Sequence, residues 1–247
     1  MALEIIAHRG ASHVAPENTL ASIDLAWRMG ADAVEIDVHL TKDARLVVMH
    51  DDDTPRTTGA AGLISDQTLS EIRAHDAGSW KGAEWAGQKV PTLEEALDTI
   101  PDGKRMFIEL KGGPEIVSEL DRVVRASDKR LDQIAIISFS PRAVTEAKRF
   151  LPECSACFLS GSGGNGTPTI RDLIEEARRA GLDGLDLEAN ESIDADFARE
   201  VKAAGLRLYV WTIDSLEEAK HFAELGVDGI TTNRPDVLLQ TLRTLEP

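Results

Sequence analysis

The stretch "RMGADAVEIDVHLTKDARLVVMH" (residues 28–50) makes two different kinds of reversal, and the contrast between them decides the fold. Gly30 follows an amphipathic run and precedes an apolar segment, the place where a helix closes with a left-handed cap and hands over to a strand. From Ala33 the residues alternate: Val34, Ile36 and Val38 share one face, and Glu35, Asp37 and His39 share the other. The link "LTKDAR" to the next apolar run, "LVVMH", is far too short for a crossover between parallel strands and suits a hairpin turning near Asp43. An antiparallel return brings His50 back beside Ile36, between Glu35 and Asp37.

The first kind of reversal recurs. "RAGLDGLDLE" (179–188), "AAGLRLYVWT" (203–212) and "ELGVDGITTN" (224–233) repeat the order helix, glycine, strand, with Gly181, Gly205 and Gly226 in the cap position. Ile170, Leu173, Ile174 and Ala177 recur at helical spacing, as do Ile116, Leu120, Val123 and Val124, while Thr92 with Glu95 reads as a capping box. Strands are expected to begin near Glu4, Ala33, Leu46, Arg105, Ile134, Ser155, Gly184, Arg207 and Asp228. Their alternation with helices predicts parallel pairing. With the run at Leu46 set aside as the antiparallel return, an α/β fold results: a single (β/α)8 TIM barrel over residues 1–247, with a β-hairpin after the second strand. Residues 51–91, rich in Gly, Thr and Asp, form an insertion at the C-terminal mouth long enough to be a lid. "GSGGNGTP" (161–168) reads as a loop.

Asp and Glu number 43 against 27 Lys and Arg, a net charge of -16 that repels nucleic acid and anionic membrane. An anionic ligand must therefore be held locally. The opening residues "MALEIIAHRG" lack the basic leader and apolar centre of a signal peptide, and no run approaches a membrane span. A soluble, cytoplasmic protein without a membrane anchor is expected, and the helical faces suit a monomer or a homo-oligomer alike. Cys154 and Cys157 have C-x-x-C spacing, but "SACFLS" reads as a buried strand and no second pair of soft ligands completes a zinc set, so both are read as structural.

Period-two alternation also groups Glu109 with Lys111, Asp186 with Glu188 and Tyr209 with Trp211. His8 and Arg9 close the first strand at the rim where barrels of this type carry their active sites. Glu35, Asp37 and Glu109 meeting at one spot would repel one another unless a cation neutralised them, and an all-oxygen donor set suits a hard divalent ion, Mg²⁺ or Ca²⁺. A cation beside Arg9 and Lys111 makes a compact positive pocket for phosphate. His8 and His50 supply a general base and a general acid. His13, His39, His75 and His221 are read as structural.

The chain resembles the glycerophosphodiester phosphodiesterase family over nearly its whole length. The resemblance is carried, in the family's order and spacing, by "AHRGASHVAPENTLAS", "AVEIDVHLTKDARLVVMHDDDTPRTTG", "LSEIRAHDAGSW", "VPTLEEAL", "FIELK", "YVWTID" and "GVDGITTNRPD". It implies a (β/α)8 barrel that hydrolyses glycerophosphodiesters, a small-molecule substrate class, to sn-glycerol 3-phosphate and an alcohol with one divalent metal. It further implies that His8 and His50 are the proton-transfer pair, that Arg9 clamps the phosphate with Lys111 as a second contact, and that Glu35, Asp37 and Glu109 ligate the metal. Trp211 resembles the family's aromatic residue beside the glycerol, and Trp27, Trp80 and Trp85 are given packing or lid roles. Glu17 and Asn18 are expected to shape the rim. Asn233 stands where the family often has Asp, and Ile23 where an aromatic is frequent; neither is expected to touch the chemistry.

The nucleophile is open between water and the adjacent glycerol hydroxyl, which would form a cyclic phosphate opened later by water. A lysophospholipase D-like enzyme would need an apolar acyl site, and an aromatic content of 4% argues against one. A non-catalytic phosphodiester-binding homologue has no reason to keep every catalytic position. A metal-dependent aldolase fits paired rim histidines with Arg9 and Lys111 less well.

Overall fold

A computed structural model describes residues 3–161 and 170–242. Its strands are β1 (Glu4–His8), β2 (Ala33–Leu40), β3 (Leu46–Val48), β4 (Arg105–Leu110), β5 (Ile134–Ser138), β6 (Ser155–Ser160), β7 (Gly184–Glu188), β8 (Arg207–Trp211) and β9 (Gly229–Thr232). All except β3 pair in parallel, and β1 pairs with both β9 and β2, which closes the barrel. β3 lies outside, antiparallel to β2, with Val38 opposite Val48 and Leu40 opposite Leu46. The Met49 N–H continues this register by donating to the Asp37 carbonyl at 3.0 Å, which delivers His50 to the place expected of it.

The helix before β2, Leu20–Met29, begins at Thr19 in a capping box with Ser22 and ends at Gly30, whose φ of 91° is left-handed. The same left-handed turn recurs at Gly181, Gly205 and Gly226. Thr92 and Glu95 form the expected capping box ahead of the helix Leu93–Asp98. Helices Val117–Ala126, Pro141–Phe150, Ile170–Arg179, Ala195–Ala203, Leu216–Glu224 and Pro235–Leu242 follow the remaining strands. The side chain of Ile170 and residues 162–169, which include most of the stretch read from the sequence as a loop, lie outside the described residues.

Alternation sorts the buried side chains into two cores. Val34, Ile36, Val38, Ile108, Leu185 and Leu187 join the layer between sheet and helices. Ile6, Phe107, Ile137, Leu159 and Tyr209 fill the barrel interior. Glu35, Asp37, Glu109 and Asp186 are buried polar residues of the same strands. Ile23, where an aromatic was a natural alternative, is fully buried in the outer layer.

The insertion is more than a loop. It carries helices Pro55–Thr58 and Leu69–Arg73, and its Ile64, Ile72, Ala77 and Val90 form a buried cluster with Val47 of β3 and Met49 just after it. Trp27 packs with its indole N–H on Thr99 Oγ1 at 3.2 Å. Cys154 and Cys157 are free and buried; burial pushes the Cys154 thiol up to about 12 and that of Cys157 higher still. Among the described residues no helix is long and apolar enough to cross a membrane.

Candidate active site

The loop after β1 leaves the strand in an uncommon backbone conformation. Arg9 and Asn18 both have positive φ, 55° and 57°, a region that non-glycine residues adopt mainly where surrounding contacts enforce it. Here the contacts are plain. The Arg9 N–H donates to Glu35 Oε2 at 3.0 Å, and the Asn18 N–H donates to the Arg9 carbonyl at 3.0 Å. The Asn18 side chain donates to Asp37 Oδ2 at 2.8 Å and accepts from the Asp37 N–H at 3.3 Å. The loop is thus tied to the inward carboxylates of β2.

Glu35, Asp37 and Glu109 bring carboxylate oxygens within 4.8 Å of one another, and all three residues are buried. The Arg9 Nε lies 3.3 Å from Asp37 Oδ2, and Lys111 Nζ lies 3.0 Å from Asp37 Oδ1 and 2.6 Å from Glu109 Oε1. These two cations do not balance the cluster. Burial, with the charges of Asp37 and Glu109, pushes Glu35 well above the ordinary carboxylate range, and burial with Asp37 pushes Glu109 up to about 7. Burial also acts to raise Asp37, but Lys111, Arg9 and His50 hold it at about 2. Glu35 Oε1 accepts no hydrogen bond among the described residues. Three close carboxylates, two of which titrate high, and an idle buried oxygen are the donor set of a hard divalent cation site, so these residues fit such an ion.

The two imidazoles are oriented from outside the cluster. His8 Nδ1 lies 2.8 Å from Asn233 Oδ1, while Asn233 Nδ2 donates to Asp214 Oδ2 at 2.8 Å. The amide oxygen can only accept, so His8 Nδ1 carries the hydrogen and Nε2, 3.9 Å from Glu35 Oε2, bears the lone pair. Burial and the Arg9 guanidinium push His8 down to about 4, which keeps it neutral. Asn233 therefore does touch the candidate chemistry, contrary to the sequence expectation. Its place just past the end of β9, across the closure from His8, was the available signal. His50 Nδ1 lies 2.8 Å from Asp51 Oδ1. His39 is buried and uses Nε2 on the His50 carbonyl at 3.1 Å, as a structural histidine would.

Glu17, expected only to shape the rim, accepts from Arg9 at 2.9 Å and from two nitrogens of Arg56 at 2.7 and 3.0 Å. Arg56 also donates to Asp51 at 2.6 and 3.1 Å. A chain of charge thereby runs from His50 through Asp51, Arg56 and Glu17 to Arg9. Asp51 and Arg56 were not picked out from the sequence; the His-Asp dipeptide at 50–51 was the visible clue.

A cavity of about 220 Å³ opens over these groups. One side is lined by His8, Arg9, Glu35, His50, Glu109 and Lys111, with Asp37 bonded beneath through Arg9 and Lys111. The other is lined by Ile137, Phe139, Leu159, Trp211 and the buried Asp186. The rings of Phe139 and Trp211 meet edge to face, 5.8 Å between centroids. His8, Arg9, Glu35, His50, Glu109, Lys111 and Trp211 thus line one cavity, with Asp37 beneath it.

Comparison with known proteins agrees with this geometry. The chain is similar to the Bacillus subtilis protein YhdW, with 35% identity over 96% of each chain. It is 34% identical to a glycerophosphodiester phosphodiesterase of Caldanaerobacter subterraneus subsp. tengcongensis over 97% of both. A phosphodiesterase from Oleispira antarctica, solved in complex with the product sn-glycerol-3-phosphate, superposes with a TM-score of 0.87 at 32% identity, covering 97% of this chain and 96% of the other. Since the model of the glycerophosphoryl diester phosphodiesterase family matches residues 8–237 and these likenesses span nearly the full length, the chain belongs to that family.

Proposed function

We infer that the protein hydrolyses glycerophosphodiesters to sn-glycerol 3-phosphate and an alcohol, with one divalent cation, Mg²⁺ or Ca²⁺, held by Glu35, Asp37 and Glu109. The observation that carries the inference is the meeting of those three carboxylates within 4.8 Å beside a cavity that His8 and His50 also line. When bound, the cation would stabilise negative charge developing on the phosphoryl oxygens.

The chain's own groups supply the rest. Arg9 and Lys111 face the cavity and grip the phosphate by charge-assisted hydrogen bonds. His8, neutral with a free Nε2, takes the proton from the attacking hydroxyl, whether of water or of the neighbouring glycerol carbon. The new P–O bond forms as the bond to the departing alcohol breaks, and His50, oriented by Asp51 at its Nδ1, gives its proton to the alkoxide. Trp211 and Phe139 present the apolar face on which the glycerol carbons lie.

The test is direct. Metal-depleted protein is incubated with a panel of glycerophosphodiesters, Mg²⁺ or Ca²⁺ is restored, and sn-glycerol 3-phosphate is measured. Release that depends on the added ion is expected; no release with either ion refutes the assignment.

A further inference from the structure

Asp186 sits on the wall of the cavity opposite most of the charged groups, and the mechanism above leaves it idle. It is 1% exposed, and its Oδ1 finds no hydrogen-bond donor among the described residues. Its neighbours in register are Leu159 on β6 and Tyr209 on β8, and the indole N–H of Trp211 donates to its backbone carbonyl at 3.4 Å. The carboxyl is therefore set into an otherwise apolar wall made by Ile137, Leu159, Phe139 and Trp211.

Such a group is costly to keep. A buried polar atom without a partner destabilises a fold, and a leucine at this position would serve packing better. Asp186 also lies outside the set of acidic residues that converge on the candidate cation site, so cation binding does not account for it. A ligand hydroxyl seated against this wall would supply the donor that Asp186 Oδ1 does not find among the described residues. In either protonation state a carboxyl oxygen accepts from a hydroxyl.

We propose that Asp186 is a specificity-determining residue that hydrogen-bonds the terminal hydroxyl of the substrate's glycerol, so that the apolar wall takes the polyol carbons and its one buried carboxyl reads their oxygen. The assignment rests on the glycerophosphodiesterase reading and adds the selection of a polyol over a simple alcohol. A site built to pair a hydroxyl rejects the analogue without it far more strongly than an apolar pocket distinguishes a methylene, because the buried acceptor is then left unpaired.

The experiment compares glycerophosphocholine with its analogue in which the terminal CH₂OH of the glycerol is CH₃, using the wild type, Asp186→Asn and Asp186→Leu. The wild type should prefer the glycerol diester by at least about tenfold in kcat/KM. Asp186→Leu should bring the two within about threefold by slowing the glycerol diester alone, and Asp186→Asn, which keeps an acceptor oxygen, should retain most of the preference. A leucine variant that keeps the preference, or slows both substrates equally, overturns the proposal. Calorimetric binding of sn-glycerol 3-phosphate and its terminally deoxygenated analogue separates the two levels. Preferential binding of the former by a wild type that turns over neither diester sinks the activity but sustains the subsite; equal binding of both removes the subsite, whether or not the leucine variant folds.

Discussion

Asp51 Oδ1 lies 2.8 Å from His50 Nδ1, and Arg56 holds the carboxylate from the other side. The Arg56 hydrogen bonds keep Asp51 down at about 2, so at any ordinary pH it is an acceptor and His50 Nδ1 must carry the hydrogen. That leaves Nε2 for the substrate. Asp51→Asn offers an amide that can present its N–H instead and favour the wrong tautomer. Steady-state kinetics should show kcat lower by about one to two orders of magnitude with KM little changed, the pattern of a lost proton-transfer geometry.

Arg56 joins two segments distant in sequence, since Glu17 follows β1 and Asp51 follows β3. One planar guanidinium serves both carboxylates, which an ammonium cannot do with the same fork. Arg56→Gln should loosen His50 through Asp51 and Arg9 through Glu17 together, lowering kcat/KM about tenfold with effects on both kcat and KM. Arg56→Lys should recover only part of that loss. Full activity in Arg56→Gln would show that Arg9 and His50 are held without this bridge.

The acidic cluster fixes how cation binding depends on pH. Glu109, pushed up to about 7 by burial and Asp37, and Glu35, raised well above the ordinary carboxylate range by burial and the charges of Asp37 and Glu109, both favour keeping their protons in the metal-free protein. An incoming cation must displace them. Affinity for Mg²⁺ or Ca²⁺ should therefore rise as pH increases through about 7 and fall below it, with protons released on binding. Calorimetry in buffers of different ionisation enthalpy measures the release, and pH-independent affinity between pH 6 and 8 would contradict it.

The barrel was legible because each strand announces itself locally. A glycine cap, an alternating run and a polar strand end can be read without knowing what lies across the barrel, and the period of two then says which side chains point in. Glu35, Asp37, Glu109 and Lys111 were accessible in that way, and the shortness of "LTKDAR" placed His50. What stayed hidden depends on contacts across chain closure or between separate loops. Asn233 meets His8 only because β9 pairs with β1. Arg56 meets Glu17 only because the insertion folds back over the first loop. Asp186 was grouped with Glu188 on one face of its strand, but its Oδ1 finding no partner among the described residues is a three-dimensional fact.

Cys154 and Cys157 should be inert in the folded protein. Both are fully buried, and burial keeps their thiols protonated at neutral pH, whereas reactive cysteines need exposure and a stabilised thiolate. Titration with an aromatic disulfide reagent should label neither within minutes under native conditions and both after denaturation. Rapid native labelling of either would reopen redox chemistry at the C-x-x-C pair.

The buried acids also govern the stability of the metal-free protein, with a sign opposite to that of a usual salt-bridged carboxylate. Burial, and then the charge of Glu109, pushes Asp186 up to about 8, far above its range in an unfolded chain. Between about pH 4 and 8 the folded protein therefore binds more protons than the unfolded one, so stability falls as pH rises through that window. Glu35 and Glu109 act in the same direction, while Asp37, held at about 2, loses its contribution only in strong acid. The metal-free protein should melt at least about 5 °C lower at pH 8.5 than at pH 5.5. Asp186→Asn should flatten part of that slope, because the amide does not titrate. Saturating Mg²⁺ or Ca²⁺ should raise the melting temperature most at the alkaline end, where the ionised cluster binds it best. His8, pushed down to about 4 by burial and Arg9, and His39, lowered by burial, act the other way up to about pH 6.5, so a metal-free protein whose stability climbs steadily from pH 7 to 8.5 would mean that Asp186, Glu35 and Glu109 ionise freely in the fold.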